Sequence, residues 1–236
     1  IQTNFMLKKF IKFLTNKILI RRITKNKNIE NIFSTIYKKN YWGDNESVSG
    51  PGSNNKNTKQ LIKKLKFIIN KYKIKKIVDA PCGDFNWIKK LILASNINYI
   101  GIDIVKELIK INQKTYETNK IKFYNLNLIT KKIPDCDLII CRDFIFHLSN
   151  KDILLFFKNL LKTNFKYILI SNHTKSDKLF NKDINSGDFR KIDIFSEHFN
   201  VVKDYELVVD DFCDEKEKYL ILFKSSKLKN YIKENE

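Results

Sequence analysis

Short apolar runs alternate with helical segments from residue 74 onward, and this alternation limits the possible folds more than any other feature of the sequence. Strands are predicted over 74–80, 97–104, 121–128, 136–142, 165–172, 201–209 and 218–225. Because strands buried on both faces have nearly continuous apolar sequences, the pattern predicts a doubly wound α/β sheet of seven strands, mostly parallel. The chain is 43% hydrophobic, which is enough to form the core of such a sheet.

The last two predicted strands lack a helix-length connection. Only residues 210–217 connect them, whereas a parallel crossover needs a dozen or more residues. We therefore predict an antiparallel hairpin at one edge of the sheet. The remaining predicted helices are 58–72 with Thr58 as N-cap, 84–95 capped by Asp84, 105–119, and 150–163 capped by Ser149.

The region before the sheet divides into helices and a loop. Helical spacing is present over 5–20 and 29–37, and residues 40–57 hold three of the six glycines together with many small polar residues. We divide the chain into a basic N-terminal part with a glycine-rich loop (1–57), a sheet domain (58–225) and a C-terminal tail (226–236). The loop is expected either to close over a ligand as a lid or to serve a structural purpose only.

Positive charge is concentrated at the N-terminus. The formal net charge is +19, and residues 1–77 hold 19 Lys and Arg against three acids. Such a surface fits a membrane with anionic lipids or a nucleic acid, and compositional drift in a Lys- and Asn-rich chain is the alternative. Only four arginines are present, which disfavours base-specific reading.

Other classes of protein are disfavoured by what the sequence lacks. No apolar run approaches the roughly 20 residues of a membrane span, and the four cysteines form no CxxC pair. With three histidines, no zinc-site spacing is present, so no metal is predicted. Reduced thiols favour a cytoplasmic protein, with peripheral membrane contact through the basic helix as a further expectation.

The ends of the first two strands predict a nucleoside site. In doubly wound sheets, ligands bind beyond the carboxyl ends of the strands. Gly83 follows the first strand and allows close approach of a ligand, and Asp103 ends the second strand. An acid 20 residues after the glycine is placed to accept hydrogen bonds from ribose hydroxyls.

The turn after the first strand also discriminates between cofactors. A dinucleotide fingerprint needs three glycines, but Pro81, Gly83 and Asn86 stand at the corresponding positions. Asp84 would repel a phosphate. A cofactor with a cationic centre and an amino-acid tail fits these carboxylates better, and S-adenosylmethionine has that character.

These segments resemble those of class I S-adenosylmethionine-dependent methyltransferases. IVDAPCGDFNW (77–87) with YIGIDI (99–104) is similar to motif I and the ribose acid of that superfamily. A narrower bacterial and viral group, often met among glycan-modifying genes, has further matching segments. Here they are Trp42-Gly43, Glu46-Ser47, SGPGS (49–53), Arg142-Asp143, His147-Leu148-Ser149 and NKDINSGDFR (181–190).

The resemblance implies a role for several residues in holding S-adenosylmethionine. Asp79 would anchor the methionine end directly or through water, Cys82 and Gly83 would line the turn, and Asp103 would hold the ribose. Ile104 would pack on adenine, Asn127 would stand where an acid often meets the adenine amine, and Cys141 would face the methionine portion. Small buried packing is the alternative for both cysteines.

Transfer of a methyl group to a sugar hydroxyl calls for a general base. Asp143 and His147 follow the fourth strand on the cofactor side and are the candidates. The alternatives are that Asp143 forms a structural ion pair and that His147 caps a helix. His173 and the loop residues Asp183, Asp188 and Arg190 are candidates for binding the acceptor, or else belong to a plain surface loop.

Three functions remain open at this point. The first is O-methylation of a sugar, a glycan or a similar small hydroxyl acceptor. The second is methylation of RNA ribose, with the basic region holding phosphates; the segment CRDF (141–144) disfavours the amino-methylating branch of nucleic-acid enzymes, which resembles D/N-P-P-Y/F there. The third is a non-catalytic nucleoside-binding module.

Overall fold

A computed structural model describes residues 28–174, 180–211 and 217–234. The helix predicted over 5–20 lies outside these residues. The helices are α1 (Ile29–Lys38), α2 (Asn55–Lys71), α3 (Lys89–Leu93), α4 (Lys106–Tyr116), α5 (Asn150–Leu161) and α6 (Ser225–Glu234). The strands are β1 (Lys76–Asp79), β2 (Asn98–Asp103), β3 (Ile121–Asn125), β4 (Cys136–Cys141), β5 (Phe165–His173), β6 (Leu207–Asp210) and β7 (Lys218–Lys224). Short 3-10 turns lie at Pro51–Ser53 and Ile145–His147.

The strands form one mixed sheet in the order β3-β2-β1-β4-β5-β7-β6. Strands β1 to β5 are parallel, whereas β7 pairs antiparallel with both β5 and β6. The predicted doubly wound sheet of seven strands with an antiparallel C-terminal hairpin is therefore confirmed. Since the chain order reverses at β1 and β4, the carboxyl ends of these two strands border the crevice where ligands bind in such sheets.

Helices cover both faces of the sheet. Successive strand residues point to opposite faces, so Val78 packs in one apolar core with α1, α5 and α6, and Ile77 packs in a second core with α2 and α3. This burial on both faces explains why the strands lack an alternating apolar and polar pattern.

Two predicted helix starts are wrong. The N-cap of α2 is Asn54, whose side chain accepts from the Asn57 N–H at 2.9 Å, and Thr58 lies inside the helix. Asp84 caps no helix, since α3 begins only at Lys89; its carboxylate bonds to the glycine-rich loop instead. Ser149 is confirmed as the N-cap of α5, because its hydroxyl accepts from the Asp152 N–H at 3.2 Å.

The C-terminal segment predicted as a tail is mostly helical. Helix α6 covers most of 226–236, and its Leu228, Tyr231 and Ile232 are buried. The Tyr231 hydroxyl donates to the Phe199 carbonyl at 2.7 Å. The three apolar residues lie on one side of this short helix and the polar Lys229 and Asn230 come between them in sequence. The proposed boundary between 57 and 58 likewise falls inside α2.

Candidate active site

A cavity of about 500 Å³ lies at the carboxyl ends of the strands. Its walls come from the segments that follow β1, β2, β3 and β4, from α1 and from the loop before α2. Seven of the predicted site residues line it, namely Cys82, Gly83, Asp103, Ile104, Asn127, Asp143 and His147. The cavity therefore joins the predicted cofactor end to the predicted catalytic pair, 60 residues away in sequence.

The first end of the cavity is organised by the carboxylate of Asp103. One oxygen accepts from the Val105 N–H at 2.9 Å and the other from the Gly83 N–H at 3.2 Å. Burial raises the pKa of Asp103 to about 6, although the N–H groups of Val105 and Gly83 oppose this shift. The acid at the end of β2 thus holds the turn after β1 in place.

Gly83 is fixed by its backbone and by its surroundings. Its φ is +53°, and a Cβ at this position would lie 2.1 Å from the Ser49 Oγ. Any other residue would therefore be strained and would push the Ser49 hydroxyl away from the turn. Ile104 and Asn127 complete this end of the cavity, and the Asn127 side-chain oxygen accepts from the Ile129 N–H at 2.9 Å.

Asp79 lies beneath the cavity rather than in its wall. Its side chain is fully buried, and one carboxylate oxygen accepts from the Tyr99 hydroxyl at 2.8 Å. The other oxygen has no hydrogen-bond partner among the described residues. Burial raises the pKa of Asp79 to about 7, with the Tyr99 hydroxyl and Arg142 opposing. Asp79 therefore does not contact a ligand in the cavity directly. Of the two contacts predicted for it, only the one through water is compatible with this position.

The two cysteines predicted at the site occupy different positions. Cys82 lines the cavity but is 2% exposed, and Cys141 is fully buried in the core, outside the cavity wall. Burial raises the pKa of both thiols well above the ordinary value. The expectation that Cys141 faces the methionine portion is wrong, because the pleat of β4 turns its side chain into the apolar core. Packing is its role in this structure.

The glycine-rich loop is attached to the turn after β1. The carboxylate of Asp84 accepts from the Val48 N–H at 3.0 Å and from the Ser49 hydroxyl at 3.3 Å. The carboxylate of Glu46 accepts from the Asn86 side chain at 2.8 Å. The loop therefore covers the cavity in this structure, and the ES and SGPGS segments supply the groups that hold it there.

Four charged side chains form a nearly buried cluster at the other end of the cavity. Arg142 contacts Asp143 at 3.1 Å and Asp211 at 2.9 Å. Lys218 contacts the same two acids at 2.8 and 3.2 Å. Arg142 also donates to the Gly52 carbonyl at 2.9 Å, which ties the glycine-rich loop to this cluster. Sequence reasoning missed Asp211 and Lys218; a lysine at the start of the apolar strand β7 was the available signal.

Asp143 is held as an anion by this cluster. Burial raises the pKa of its carboxyl, but Arg142 and Lys218 outweigh burial and hold the pKa below its ordinary value. The backbone N–H of Asp143 donates to the Ser171 hydroxyl at 2.9 Å, and its φ is +53°. A residue other than glycine in this conformation is strained, a feature common at functional sites.

His147 has the arrangement of a neutral base. Its Nδ1 lies 2.9 Å from the Asp188 carbonyl oxygen. Because a carbonyl only accepts, Nδ1 carries the hydrogen of the neutral ring and Nε2 keeps a lone pair. Burial lowers the pKa of His147, so the ring is neutral at pH 7. Aromatic rings surround it, with Trp42 at 5.3 Å and Phe146 at 4.7 Å between centroids.

The other polar residues proposed for the acceptor are structural. His173 is fully buried at the end of β5, packs edge-on against Phe146 at 5.2 Å, and has its pKa lowered to about 4 by burial. Arg190 is buried and lies 3.5 Å from the Asp183 carboxylate. None of these three lines the cavity. Asp188 contributes its backbone carbonyl to His147 rather than its side chain.

Neither a metal centre nor a membrane span is found in the described part of the chain. No cluster of three His, Cys, Asp or Glu side chains suited to a metal ion occurs there. No helix among the described residues has both the length and the apolar content needed to cross a bilayer.

Comparison with known proteins identifies the fold. No known protein-family profile and no curated protein matches the sequence. Magnesium protoporphyrin IX methyltransferase (ChlM) from Synechocystis PCC 6803 with bound SAM is similar in structure, with a TM-score of 0.58 and 12% identity over 85% of this chain and 98% of that one. N-methyltransferase NodS from Bradyrhizobium japonicum WM9 is also similar, with a TM-score of 0.52 and 12% identity over 72% of this chain and 97% of that one.

A third similar structure is the methyltransferase domain of bacterial CtHen1, with a TM-score of 0.53 and 15% identity over 71% of this chain and 99% of that one. All three proteins are methyltransferases, and the chain covers almost their full length. The chain therefore has the Rossmann-like fold of class I methyltransferases.

Proposed function

We propose that this protein is an S-adenosylmethionine-dependent methyltransferase that methylates a hydroxyl group of a sugar, a glycan or a similar small acceptor. One observation carries the proposal. A single cavity joins a carboxylate at the end of β2, Asp103, to a neutral imidazole with a free Nε2 lone pair, His147. Solved structures of the same fold contain bound SAM, which supports the choice of cofactor.

The residues present fit this cofactor. Asp103 uses one lone pair on each oxygen for the N–H groups of Val105 and Gly83 and keeps others for ribose hydroxyls. Asp79 presents a buried carboxylate oxygen that lacks a partner among the described residues, which suits a water-mediated contact with an ammonium group. Ile104 and Asn127 would meet the adenine. When bound, S-adenosylmethionine supplies an electrophilic methyl group on a sulfonium.

We propose that His147 accepts the proton of the acceptor hydroxyl. Its Nε2 accepts that proton as the hydroxyl oxygen attacks, and the Asp188 carbonyl keeps the ring oriented through Nδ1. Asp143 stays ionised between Arg142 and Lys218, so it is a poor proton acceptor and serves instead to orient the acceptor. The rings of Trp42 and Phe146 keep water away from the imidazole.

RNA ribose is a second candidate acceptor, and one observation favours it. Helix α2 begins at the rim of the cavity, which Asn57 lines, and its exposed residues include six lysines. A polyanion bound along this helix would lead to the cavity. The third alternative, a non-catalytic nucleoside-binding module, predicts cofactor binding without turnover.

The test combines cofactor binding with methyl transfer. Calorimetry with S-adenosylhomocysteine measures binding, and labelled S-adenosylmethionine is then offered with nucleotide sugars, oligosaccharides and RNA. His147→Ala should lower turnover about 10²- to 10⁴-fold and leave cofactor affinity unchanged, as for the loss of a general base. His198→Ala, which removes an exposed histidine, is the matched control.

The pH profile provides an independent check. Because the pKa of His147 is lowered, we expect turnover to persist below the ordinary histidine range and to fall only at more acid pH. Normal turnover of His147→Ala would refute the assignment of the base. Cofactor binding without turnover on every acceptor would favour the binding module over an enzyme.

A further inference from the structure

Helix α2 carries a continuous positively charged surface. Its six lysines, Lys56, Lys59, Lys63, Lys64, Lys66 and Lys71, are all exposed. At 100° per residue they lie within about 160° of the helix circumference and leave the opposite side to the core. We call this surface the lysine face of α2.

No acid neutralises the lysine face locally. The sequence has no Asp or Glu between Glu46 and Asp79. Within the described residues, none of the six lysines forms an ion pair. In α4, by contrast, Glu107 lies beside Lys106. The charge on α2 is therefore concentrated and available to an anionic partner.

The centre of the lysine face holds an exposed aromatic ring and two exposed amide side chains. Phe67 is 52% exposed, and Lys71 lies over its ring at 5.6 Å. On the helix surface, the exposed amides of Gln60 and Asn70 lie on either side of Phe67. An aromatic ring can stack on a base, and amides can bond to phosphates and base edges.

We infer that the lysine face of α2 binds single-stranded nucleic acid through its phosphate backbone. From Lys56 to Lys71 the helix rises about 22 Å, a length over which one strand of a stacked polynucleotide places about six phosphates. Binding has little sequence preference, because lysines offer no bidentate contact to bases. The inference goes beyond methyl transfer, since binding requires neither cofactor nor turnover.

A membrane surface fits this helix less well. Helices that lie in a bilayer interface insert a broad apolar face, but the apolar side of α2, with Leu61, Leu65 and Ile68, is buried against the sheet. Phe67 is the one large apolar side chain at the centre of the lysine face, and the amides beside it would lose hydrogen bonds in lipid.

The test measures binding of a labelled single-stranded RNA of about 12 nucleotides, in the range that such surfaces cover, to the full chain by fluorescence anisotropy at several salt concentrations. The variant Lys59→Gln/Lys63→Gln/Lys66→Gln removes three charges from the lysine face. Its control, Lys110→Gln/Lys114→Gln/Lys151→Gln, removes three exposed lysines elsewhere. Glutamine has a helix propensity close to that of lysine, so both variants should remain folded.

We expect the α2 variant to bind at least about tenfold more weakly near 0.1 M salt and the slope of log affinity against log salt to shrink by about 2. The control should bind like the wild type. Phe67→Ala should weaken single-strand binding about fivefold without changing duplex binding, as for a lost stacking contact.

Three results would overturn the inference. Equal losses in the α2 variant and the control would mean that only net charge matters. Wild-type-like binding by the α2 variant would place the nucleic-acid surface elsewhere. Lysine-dependent binding to vesicles of phosphatidylcholine and phosphatidylserine in equal parts, without RNA binding, would identify a membrane surface. None of these results bears on S-adenosylhomocysteine binding or on methyl transfer, so the two proposals fail separately.

Discussion

Two aspartates at opposite ends of one cavity have opposite pKa shifts. Asp103 ends β2 and Asp143 follows β4, and both are largely buried. The Asp103 carboxylate accepts from the backbone N–H groups of Gly83 and Val105, and burial raises its pKa to about 6. Asp143 has Arg142 and Lys218 at contact distance, and these cations outweigh burial and lower its pKa.

The difference shows that burial alone does not decide the charge of a carboxyl group in this protein. Neutral donors offset only part of the desolvation cost of Asp103, whereas two cations more than offset that of Asp143. The Asp103 end of the cavity is therefore able to gain or lose a proton near neutral pH. The Asp143 end keeps a fixed charge pattern, which under the proposed function leaves His147 as the group that can take a proton.

Removing Asp211 should have the largest effect on this arrangement. Asp211 is fully buried and contacts both cations of the cluster, so Asp211→Ala leaves two buried cations against the single carboxylate of Asp143 in the cluster. We expect the free energy of unfolding to fall by about 3–5 kcal/mol, measured by urea denaturation. Lys122→Ala breaks an exposed ion pair with Glu117 and should cost less than about 1 kcal/mol. Similar losses in both variants would show that the cluster is not special.

Neutralising an acid at each end should have opposite consequences. Asp143→Asn removes a carboxylate that two cations stabilise and should cost about 1–3 kcal/mol at pH 7. Asp79→Asn removes a carboxylate whose pKa is raised to about 7. A raised carboxyl pKa lowers stability as the pH rises from about 4 towards 7, because only the unfolded state has already lost its proton.

The fall in wild-type stability between about pH 4 and pH 7 sets the expected result for Asp79→Asn. Relative to the wild type, Asp79→Asn should gain stability on the order of 1 kcal/mol per pH unit over this range. Thermal unfolding in matched buffers measures the trend. A constant difference between the variant and the wild type would mean that Asp79 is already ionised at low pH.

The raised pKa of Asp103 should make cofactor binding depend on pH. The ionised carboxylate accepts ribose hydroxyls, so S-adenosylhomocysteine should bind about tenfold more tightly at pH 7 than at pH 5, as follows from a pKa of about 6. Asp103→Ala should bind more weakly at pH 7 by about 1.5–3 kcal/mol, the range for hydrogen bonds to charged groups, and should lose this pH dependence. Unchanged affinity in Asp103→Ala, measured by calorimetry, would remove this residue from the site.

The loop that connects the two ends should give the smallest effect. Ser49 donates to Asp84 and accepts from its N–H at 3.1 Å. Ser49→Ala should lower the free energy of unfolding by about 1 kcal/mol, the usual contribution of a hydrogen bond, and should weaken cofactor binding slightly. Ser95→Ala is the control for cofactor affinity and should leave it unchanged, because the Ser95 hydroxyl bonds to its own turn, donating to the Ile92 carbonyl at 2.9 Å and accepting from the Ile97 N–H at 3.4 Å. An identical cofactor affinity in all three proteins would show that the loop does not support the site.

Local sequence patterns identified one helix cap correctly and missed another, since Asn54 rather than Thr58 caps α2. The Ser149 cap was predicted correctly because its hydroxyl bonds to the N–H three residues later. Asp84 was misassigned because its partners, Val48 and Ser49, lie 36 and 35 residues earlier, and no local pattern reveals such a contact. The loop was predicted as a loop, but its attachment to the β1 turn depends on tertiary structure.

By itself, the sequence determined the order and type of the strands, the hairpin at the edge of the sheet, and the placement of Gly83 and Asp103 at the carboxyl ends of the first two strands. These features follow from side-chain periodicity, from turn chemistry and from the rule that parallel strands end at one edge. Tertiary structure alone decided the charge cluster, the core position of Cys141 and the protonation pattern of His147. Burial and the distance to counter-charges determine these properties, and both depend on residues 40 to 75 positions apart in the chain.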